Sequence, residues 1–469
     1  MTVINEGDIS SPIRKEIETI RNQFRVDIPT LKHITNHFVR QLEDGLTRYD
    51  GEIPMNVTWV PSFPTGHETG RYLAIDMGGT NLRICDVTLT EQKGAYMVEQ
   101  DKYRLPAHLS KGNGAELWDF IAEKLEDFLA KHKLAGENGE KLPLAFTFSY
   151  PVTQDHIRHG VLQRWTKGFD ISGVEGEDVV AHLEEVFAKR NVPVRLVALV
   201  NDTVGTLIAS AYKNPAIKIG SIFATGCNAA YMEKVSQIPK IADRGSEFES
   251  DALVSINCEY GAFDSGHRVL PRTRFDEEID NTSARPGQQA YEKMVSGMYM
   301  GELLRLLLLH LHESRGFFTD AEIDRLRGYG TMDSASLSRM EAGGSEAERM
   351  GAAKSILKEL YGIEATDEEA RVCCLLAEIV CTRAARLYAC GIAALCRKQG
   401  IDECAVGVDG STFEKYSQFR ERAIHALGEI FDWPEGQQLV KLVTAEDGSG
   451  VGSALIAAIA LNQSAVVVE

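Results

Sequence analysis

The sequence predicts an α/β fold in two lobes that face each other across a central cleft, and three observations predict it. The first is Val194–Thr206, where an apolar, largely β-branched run ends at Asn201-Asp202 and an apolar helical pattern follows. Ligands of open α/β sheets gather at the carboxyl ends of strands, so a carboxylate at that point is placed to act on one. The second is Tyr72–Leu89, which reads as strand, tight turn, strand around Asp76-Met-Gly-Gly-Thr-Asn-Leu-Arg83. The third is Ile217–Tyr231, again two strands about a small-residue turn, Thr225-Gly226. One device used early and again near the middle points to two related lobes.

The remaining elements follow in order. Residues 10–50 read as helical, ending near Asp44-Gly45, and Pro54 to Gly70 reads as a Pro- and Gly-rich linker. Residues 71–105 alternate as three strands, Gly114–His132 is an amphipathic helix, and Leu142–Ser149 is the next strand. A helix over Val174–Arg190 leads to the strand that ends at Asp202. The second half restarts at Ile217 with its paired strands. Lys234–Ser250 is polar and reads as an exposed loop, and residues 287–312, 344–360 and 366–399 read as long helices. Strands near 404–409 and 438–443 close the second sheet. Asp-x-Gly-Gly-Thr occurs once, so the chain is a single unit rather than a tandem duplication.

Length and charge bound the function. A chain of 469 residues holds two or three domains. Its formal net charge of −18 argues against nucleic acid or an anionic membrane surface as a partner. A phosphate-binding pocket in such a chain is expected to be locally basic. The leucine-rich run Leu303–Leu311 contains Arg305 and is far shorter than the ~20 residues of a membrane span, so it reads as a buried helix. Met1–Asp8 is acidic and lacks the apolar core of a signal peptide. The nine cysteines contain no Cys-x-x-Cys pair, which fits a reducing compartment without disulfides or structural zinc. The expectation is a cytoplasmic protein with no membrane insertion, as a monomer or homodimer.

Each motif admits a chemical and a plain reading. Asp202 can take a proton from a substrate hydroxyl or simply cap the helix after it. Gly78-Gly79 can bring backbone N–H groups to a polyphosphate or turn an ordinary hairpin. Around them Thr80 and Asn81 add neutral donors, Arg83 adds a cationic fork, and Asp76 can orient a phosphate-bound Mg²⁺ through water. Asp409-Gly410-Ser411 and Asp447-Gly-Ser449 each follow a strand-like run and open a helical stretch, which suits a ribose or phosphate or a helix cap.

Taken in order, these segments resemble the sugar kinase, actin and heat-shock chaperone ATPase superfold, whose two lobes carry ribonuclease H-like sheets. Within it the chain resembles the eukaryotic hexokinases, most of all the fungal hexokinase/glucokinase type, from about Leu31 to Leu461. The resemblance is carried by Leu73–Arg83, Phe146-Thr-Phe-Ser-Tyr-Pro151, Trp165-Thr-Lys-Gly-Phe169, Leu199–Gly205, Ile256-Asn-Cys-Glu-Tyr-Gly-Ala-Phe263 and Arg285-Pro-Gly-Gln-Gln-Ala-Tyr-Glu-Lys-Met294. It implies ATP-dependent phosphorylation of hexoses, with Mg²⁺ carried by ATP and no direct metal ligand from the protein. It implies Asp202 as general base, with Arg83 and Lys167 at the transferred phosphoryl. Ser149, Thr166, Lys167, Asn201, Asp202, Asn228, Glu259 and Glu292 would bind the sugar. Asp76, Gly78, Gly79, Thr80, Asn81, Arg83, Thr225, Gly226, Asp409, Gly410, Ser411 and Ser449 would line the nucleotide. The lobes it implies are residues 1–67 with 205–448, and 68–204 with 449–469. Three alternatives stay open: a glucose-selective glucokinase, a glucose-sensing regulator with weak or no catalysis, and a chaperone- or actin-like ATPase, in which the sugar segments would have no purpose. One departure concerns the second phosphate loop, where the family commonly has Gly-Thr-Gly and this chain has Ala224-Thr225-Gly226. A positive φ at that position would strain Ala224; otherwise its methyl only crowds the phosphates. Cys227 and Cys258 adjoin the expected sugar residues, so alkylation there is expected to inhibit.

Overall fold

A computed structural model describes residues 4–78, 81–136, 139–165, 169–247, 249, 251–318 and 323–466. Helices α1 (Ser11–Phe24) and α2 (Ile28–Thr47) open the chain, followed by a short strand β1 (Asn56–Val57). Then come β2 (Gly70–Met77), β3 (Asn81–Leu89), β4 (Tyr96–Arg104), α3 (Gly114–His132) and β5 (Leu142–Phe148). A two-stranded ribbon, β6 (Val152–Thr153) and β7 (Val161–Leu162), precedes α4 (Val179–Arg190), β8 (Val194–Val200) and α5 (Asp202–Lys213). The second half begins with β9 (Ile217–Phe223), β10 (Cys227–Lys234) and β11 (Leu253–Asn257). Six helices follow: α6 (Arg274–Thr282), α7 (Ala290–Val295), α8 (Gly297–Arg315), α9 (Ser334–Glu341), α10 (Glu346–Tyr361) and α11 (Asp367–Gln399). The chain finishes with β12 (Cys404–Asp409), α12 (Ser411–Lys415), α13 (Ser417–Phe431), β13 (Val440–Thr444) and α14 (Ser453–Val466).

The first sheet has the order β4-β3-β2-β5-β8, and the second β1-β11-β10-β9-β12-β13. In each, three antiparallel strands run in sequence and two parallel strands extend the other side. Apart from the added edge strand β1, the second sheet repeats the first, as the twin hairpins predict. Period-2 patterning divides β2 between two cores: Leu73, Ile75 and Met77 pack toward α3 and α4, while Tyr72 and Ala74 pack toward α5 and α14. A larger core surrounds α11 in the second half. That helix is long and apolar enough to span a bilayer, but 83% of its apolar window is buried inside the fold.

Four sequence expectations change. The stretch from Pro54 to Gly70 is no loose linker, because it supplies β1 to the second sheet and buries Met55, Val57 and Val60. Lys234–Ser250 is not an exposed loop: its turns bury Val235, Ile238 and Ile241, and Lys240 Nζ donates to the carbonyls of Gly45, Pro54 and Met55. Helix α4 starts at Val179 rather than Val174, since Gly173 and Gly176 take positive φ and Asp178 caps the later start. The helix expected over 287–312 breaks at Ser296, whose backbone is extended. The run Leu303–Leu311 is a buried part of α8, as expected.

Candidate functional site

The carboxyl ends of β8, β9 and β12 converge, which brings Asn201-Asp202, the turn 224–226 and Asp409-Gly410 into one crevice. Asn201 caps α5, its Oδ1 accepting the Thr203 N–H at 2.9 Å, and Asp202 is the first helical residue. Asp202 Oδ1 accepts the same N–H at 2.8 Å and the Thr203 hydroxyl at 3.2 Å. Its charge is felt at Asp76, Tyr150 and Asp409, where it favours the protonated forms. A carboxylate here therefore faces both the first hairpin and the second sheet.

The candidate sugar residues form one hydrogen-bonded set against this point. Asn228 Nδ2 donates to Thr203 Oγ1 at 3.1 Å and to Asn257 Oδ1 at 2.7 Å. Asn257 Nδ2 in turn donates to Glu259 Oε1 at 2.9 Å, and the Glu259 N–H donates to Asn228 Oδ1 at 2.9 Å. Glu259 holds a left-handed backbone, φ 55°, uncommon for a residue other than glycine and concentrated at functional sites. Glu292, on α7, accepts the Cys227 N–H at 3.0 Å, so its carboxylate lies against the second hairpin. Ser149 is buried at the end of β5. Asn257 was missed by the sequence reading, although its position two residues before Glu259 was a usable signal. Thr166 and Lys167 lie outside the described residues.

Of the candidate nucleotide residues, Asp76, Gly78, Asn81, Arg83, Asp409 and Ser449 line a cavity of about 480 Å³ together with Lys102, Glu414, Ala445, Glu446 and Asp447, whereas Thr225, Gly226, Gly410 and Ser411 are not among its described walls. Gly79 and Thr80 lie outside the described residues. Arg83 is clamped by Asp447, with Nη1 to Oδ2 at 2.9 Å and Nη2 to Oδ1 at 2.6 Å, and its Nε lies 3.5 Å from Asp76. Asp447 also caps the turn 448–452, accepting the Gly450 N–H at 3.0 Å. The sequence reading names Asp447 only as part of a helix-opening motif and gives its side chain no role; Lys102, Glu414 and Glu446 it does not single out. Gly410 has φ +133°, and a Cβ there would stand 2.2 Å from the Phe223 carbonyl oxygen, so only glycine lets β12 turn beside β9. Ala224 does not adopt a positive φ, so the substitution in the second loop is unstrained. Its methyl lies 3.0 Å from where a Cβ on Gly410 would be, a second contact that keeps that position a glycine. The start of α8 also borders this loop: the Gly297 N–H donates to the Ala224 carbonyl at 2.8 Å, and Ser334 Oγ lies 3.1 Å from Thr412 Oγ1.

The expectation of a locally basic pocket is overturned among the described residues. Five carboxylates, Asp76, Asp409, Glu414, Glu446 and Asp447, face two cations, Arg83 and Lys102. Burial, with help from neighbouring acids, pushes the Asp76 and Asp409 carboxyls up to about 6. Such a cavity repels a bare polyphosphate and accepts one that brings a divalent cation, so the donor set fits a magnesium nucleotide. The cysteine expectation also changes. Cys227 and Cys258 are buried and burial drives both thiols well up, which makes them poor nucleophiles.

Helix α5 is held to the 448–452 turn by glycine contacts. A Cβ on Gly448 would meet the Thr206 backbone nitrogen at 2.4 Å, and one on Gly205 would meet the Gly448 carbonyl oxygen at 2.3 Å. Asp202 and the 448–452 turn are thereby fixed to one another. Gly448→Ala is expected to lose about 1–3 kcal/mol by overpacking, read as a lowered thermal midpoint. An unchanged midpoint would show that the turn can move aside.

Two hexokinase family models match the chain, one over residues 16–212 and one over 218–459. A hexokinase of Emericella nidulans is 50% identical over 460 residues, covering 97% of this chain and 93% of that protein. Hexokinase-1 of Saccharomyces cerevisiae is 44% identical over 457 residues, covering 97% and 93%. Among solved structures, the hexokinase from Schistosoma mansoni complexed with glucose superposes with a TM-score of 0.85 at 35% identity, covering 95% of this chain and 98% of that one.

Proposed function

The chain belongs to the hexokinase family and is a hexose kinase, and on that premise we propose that it transfers the γ-phosphoryl group of ATP to the 6-hydroxyl of glucose, mannose and fructose. The observation that carries this reading is the placement of Asp202: it stands where the hydrogen-bonded set Asn228-Asn257-Glu259 meets the acid-rich nucleotide cavity. We assign the hexose to the first group and the nucleotide to the second. The lobes are taken as residues 1–67 with 205–448, and 68–204 with 449–469.

In this reading Asn228, Asn257, Glu259 and Glu292 hold the ring hydroxyls, with Ser149, Thr166, Lys167 and Asn201 closing over them from the other side. Asp202 accepts the proton of the 6-hydroxyl as that oxygen bonds to the γ-phosphorus and ADP leaves. Arg83 offsets charge on the phosphates once they displace Asp447 from its guanidinium, and Lys167 does so at the transferred group. Mg²⁺, when bound with the nucleotide, supplies the positive charge that the five carboxylates call for, and Asp76 would hold it through water. Water also fits wherever a sugar hydroxyl fits, so selectivity for sugar rests on closure of the lobes by the hexose.

The hexose range is tested by turnover with glucose, mannose, fructose and 6-deoxyglucose. Turnover of the first three and none with 6-deoxyglucose is expected. Turnover of glucose alone would make the protein a glucokinase. Acidity supplies a second test. An acid raised to about 6 is increasingly protonated below that pH, and a neutral Asp76 or Asp409 no longer attracts the magnesium nucleotide. Hence kcat/KM for Mg·ATP is expected to fall below about pH 6, with a shallower fall in Asp76→Asn and in Asp409→Asn. A flat profile down to pH 5 would contradict this.

A further inference from the structure

Burial drives up the thiols of seven of the nine cysteines. The remaining two touch. Cys396 Sγ, near the end of α11, lies 4.0 Å from Cys404 Sγ, at the first residue of β12. Both side chains belong to the core around α11, but their settings differ. Cys396 is wholly buried. Cys404 is 5% exposed at the margin of that core, with Asp402 and Glu403 exposed just before it and Lys218 exposed on the neighbouring strand β9. A hydrogen bond donated by the Cys396 thiol, helped by the Lys218 charge, outweighs burial and lowers the Cys404 thiol below its ordinary range. The same bond, together with burial, raises the Cys396 thiol.

The thiolate is the nucleophile of thiol chemistry, so Cys404 is the reactive member and Cys396 the one that answers it. A reactive thiol beside a second, resolving thiol is the arrangement of redox-sensing cysteines. The backbone of both is held: the Ile401 N–H donates to the Cys396 carbonyl at 2.9 Å, and the Cys404 N–H donates to the Leu439 carbonyl at 3.1 Å. Closing the sulfurs to the ~2.05 Å of a disulfide therefore falls to the two side chains. We propose that Cys396 and Cys404 form a reversible disulfide when the protein meets hydrogen peroxide. The Cys404 thiolate attacks one peroxide oxygen, the O–O bond breaks, and the departing hydroxide takes up a proton and leaves as water. The Cys396 sulfur then displaces the other oxygen from the Cys404 sulfenic acid, and its thiol proton leaves with that oxygen as a second water. Two electrons pass from the thiols to the peroxide. The bond staples the end of α11 to the start of β12. Asp409 lies at the opposite end of that strand, so turnover of the oxidised protein is expected to stay within a few-fold.

Peptide mapping by mass spectrometry tests this on the full chain treated with one equivalent of hydrogen peroxide, with free thiols alkylated before digestion. Cys396→Ser and Cys404→Ser are run alongside the wild type. The expected result is a wild-type linkage of the peptides holding Cys396 and Cys404, reversed by dithiothreitol, and a thermal midpoint raised by about 2–3 °C while the link is present. Cys396→Ser is expected to stop at a sulfenic acid on Cys404 that dimedone traps, and Cys404→Ser to keep a free Cys396. The wild-type map alone can overturn the proposal, so a variant that fails to fold does not shelter it. Nine free thiols after peroxide, a link to any other cysteine, or a sulfenic acid that persists on Cys404 beside a free Cys396 would each overturn it.

Discussion

Asp202→Ala is expected to lose ~10²–10⁴ in turnover, the usual range for removing a general base, while glucose still binds. The argument is one of position. Asp202 sits between the Asn228-Asn257-Glu259 set and the acid-rich cavity, and its charge is felt at Asp76 and Asp409 in that cavity. Its other available role, capping α5, is duplicated: Asn201 Oδ1 accepts the Thr203 N–H at 2.9 Å without it. Removing the carboxylate therefore leaves the helix start intact, and a fall in turnover cannot be assigned to fraying. Steady-state rates measured beside calorimetric glucose binding separate the two roles. Turnover within a few-fold of wild type would remove Asp202 from the reaction. Loss of glucose binding with the turnover would make it a sugar ligand first.

Arg383→Ala is expected to cost about 3–5 kcal/mol, as breaking one side of a buried ion pair does. Arg383 on α11 and Asp276 on α6 are both buried and joined by two bonds, Nη1 to Oδ2 at 2.8 Å and Nη2 to Oδ1 at 2.7 Å. Asp276 Oδ2 also accepts the N–H and hydroxyl of Thr273, each at 2.7 Å, and the guanidinium lies over the Phe24 ring at 4.4 Å. One pair thus ties α1, α6 and α11 together. Burial opposes ionisation of Asp276, but the Arg383 charge and its hydrogen bonds outweigh burial and hold the carboxyl below its ordinary range. An acid lowered in the folded state stabilises above its unfolded pKa of ~3.9, and that contribution is lost as pH falls through the lower folded value. The variant should accordingly show a thermal midpoint lower by about 3–5 °C at neutral pH, and a smaller loss of stability on acidification than the wild type. A drop of less than about 1 °C would mean that the pair is not coupled to the fold as argued.

What could be read from the sequence was local. The run Val194–Val200 and the hairpins at Asp76–Arg83 and Thr225-Gly226 announced two sheets of one topology, because strand alternation and turn residues are short-range signals. The boundaries of α3 and β8 were legible for the same reason. Illegible features join segments far apart in the chain. The Asp447 clamp on Arg83 spans 364 positions, and nothing near either residue announces it. Lys240 looked like part of a polar loop, and only the carbonyls of Gly45, Pro54 and Met55 account for its burial. The acidic character of the cavity beside Arg83 escaped notice because its carboxylates come from three separate stretches, 76, 409–414 and 446–447. Ala224 was ambiguous until its backbone could be seen, since the sign of φ decides whether a methyl is strained.

The account rests on one claim, that a hexose and Mg·ATP meet at Asp202 and react only when both are present. ADP release from Mg·ATP, measured with glucose and with no sugar, tests it most directly. The account predicts rapid release with glucose and release slower by orders of magnitude without it. Equal rates would contradict closure by the sugar, and no release with glucose present would contradict phosphoryl transfer itself.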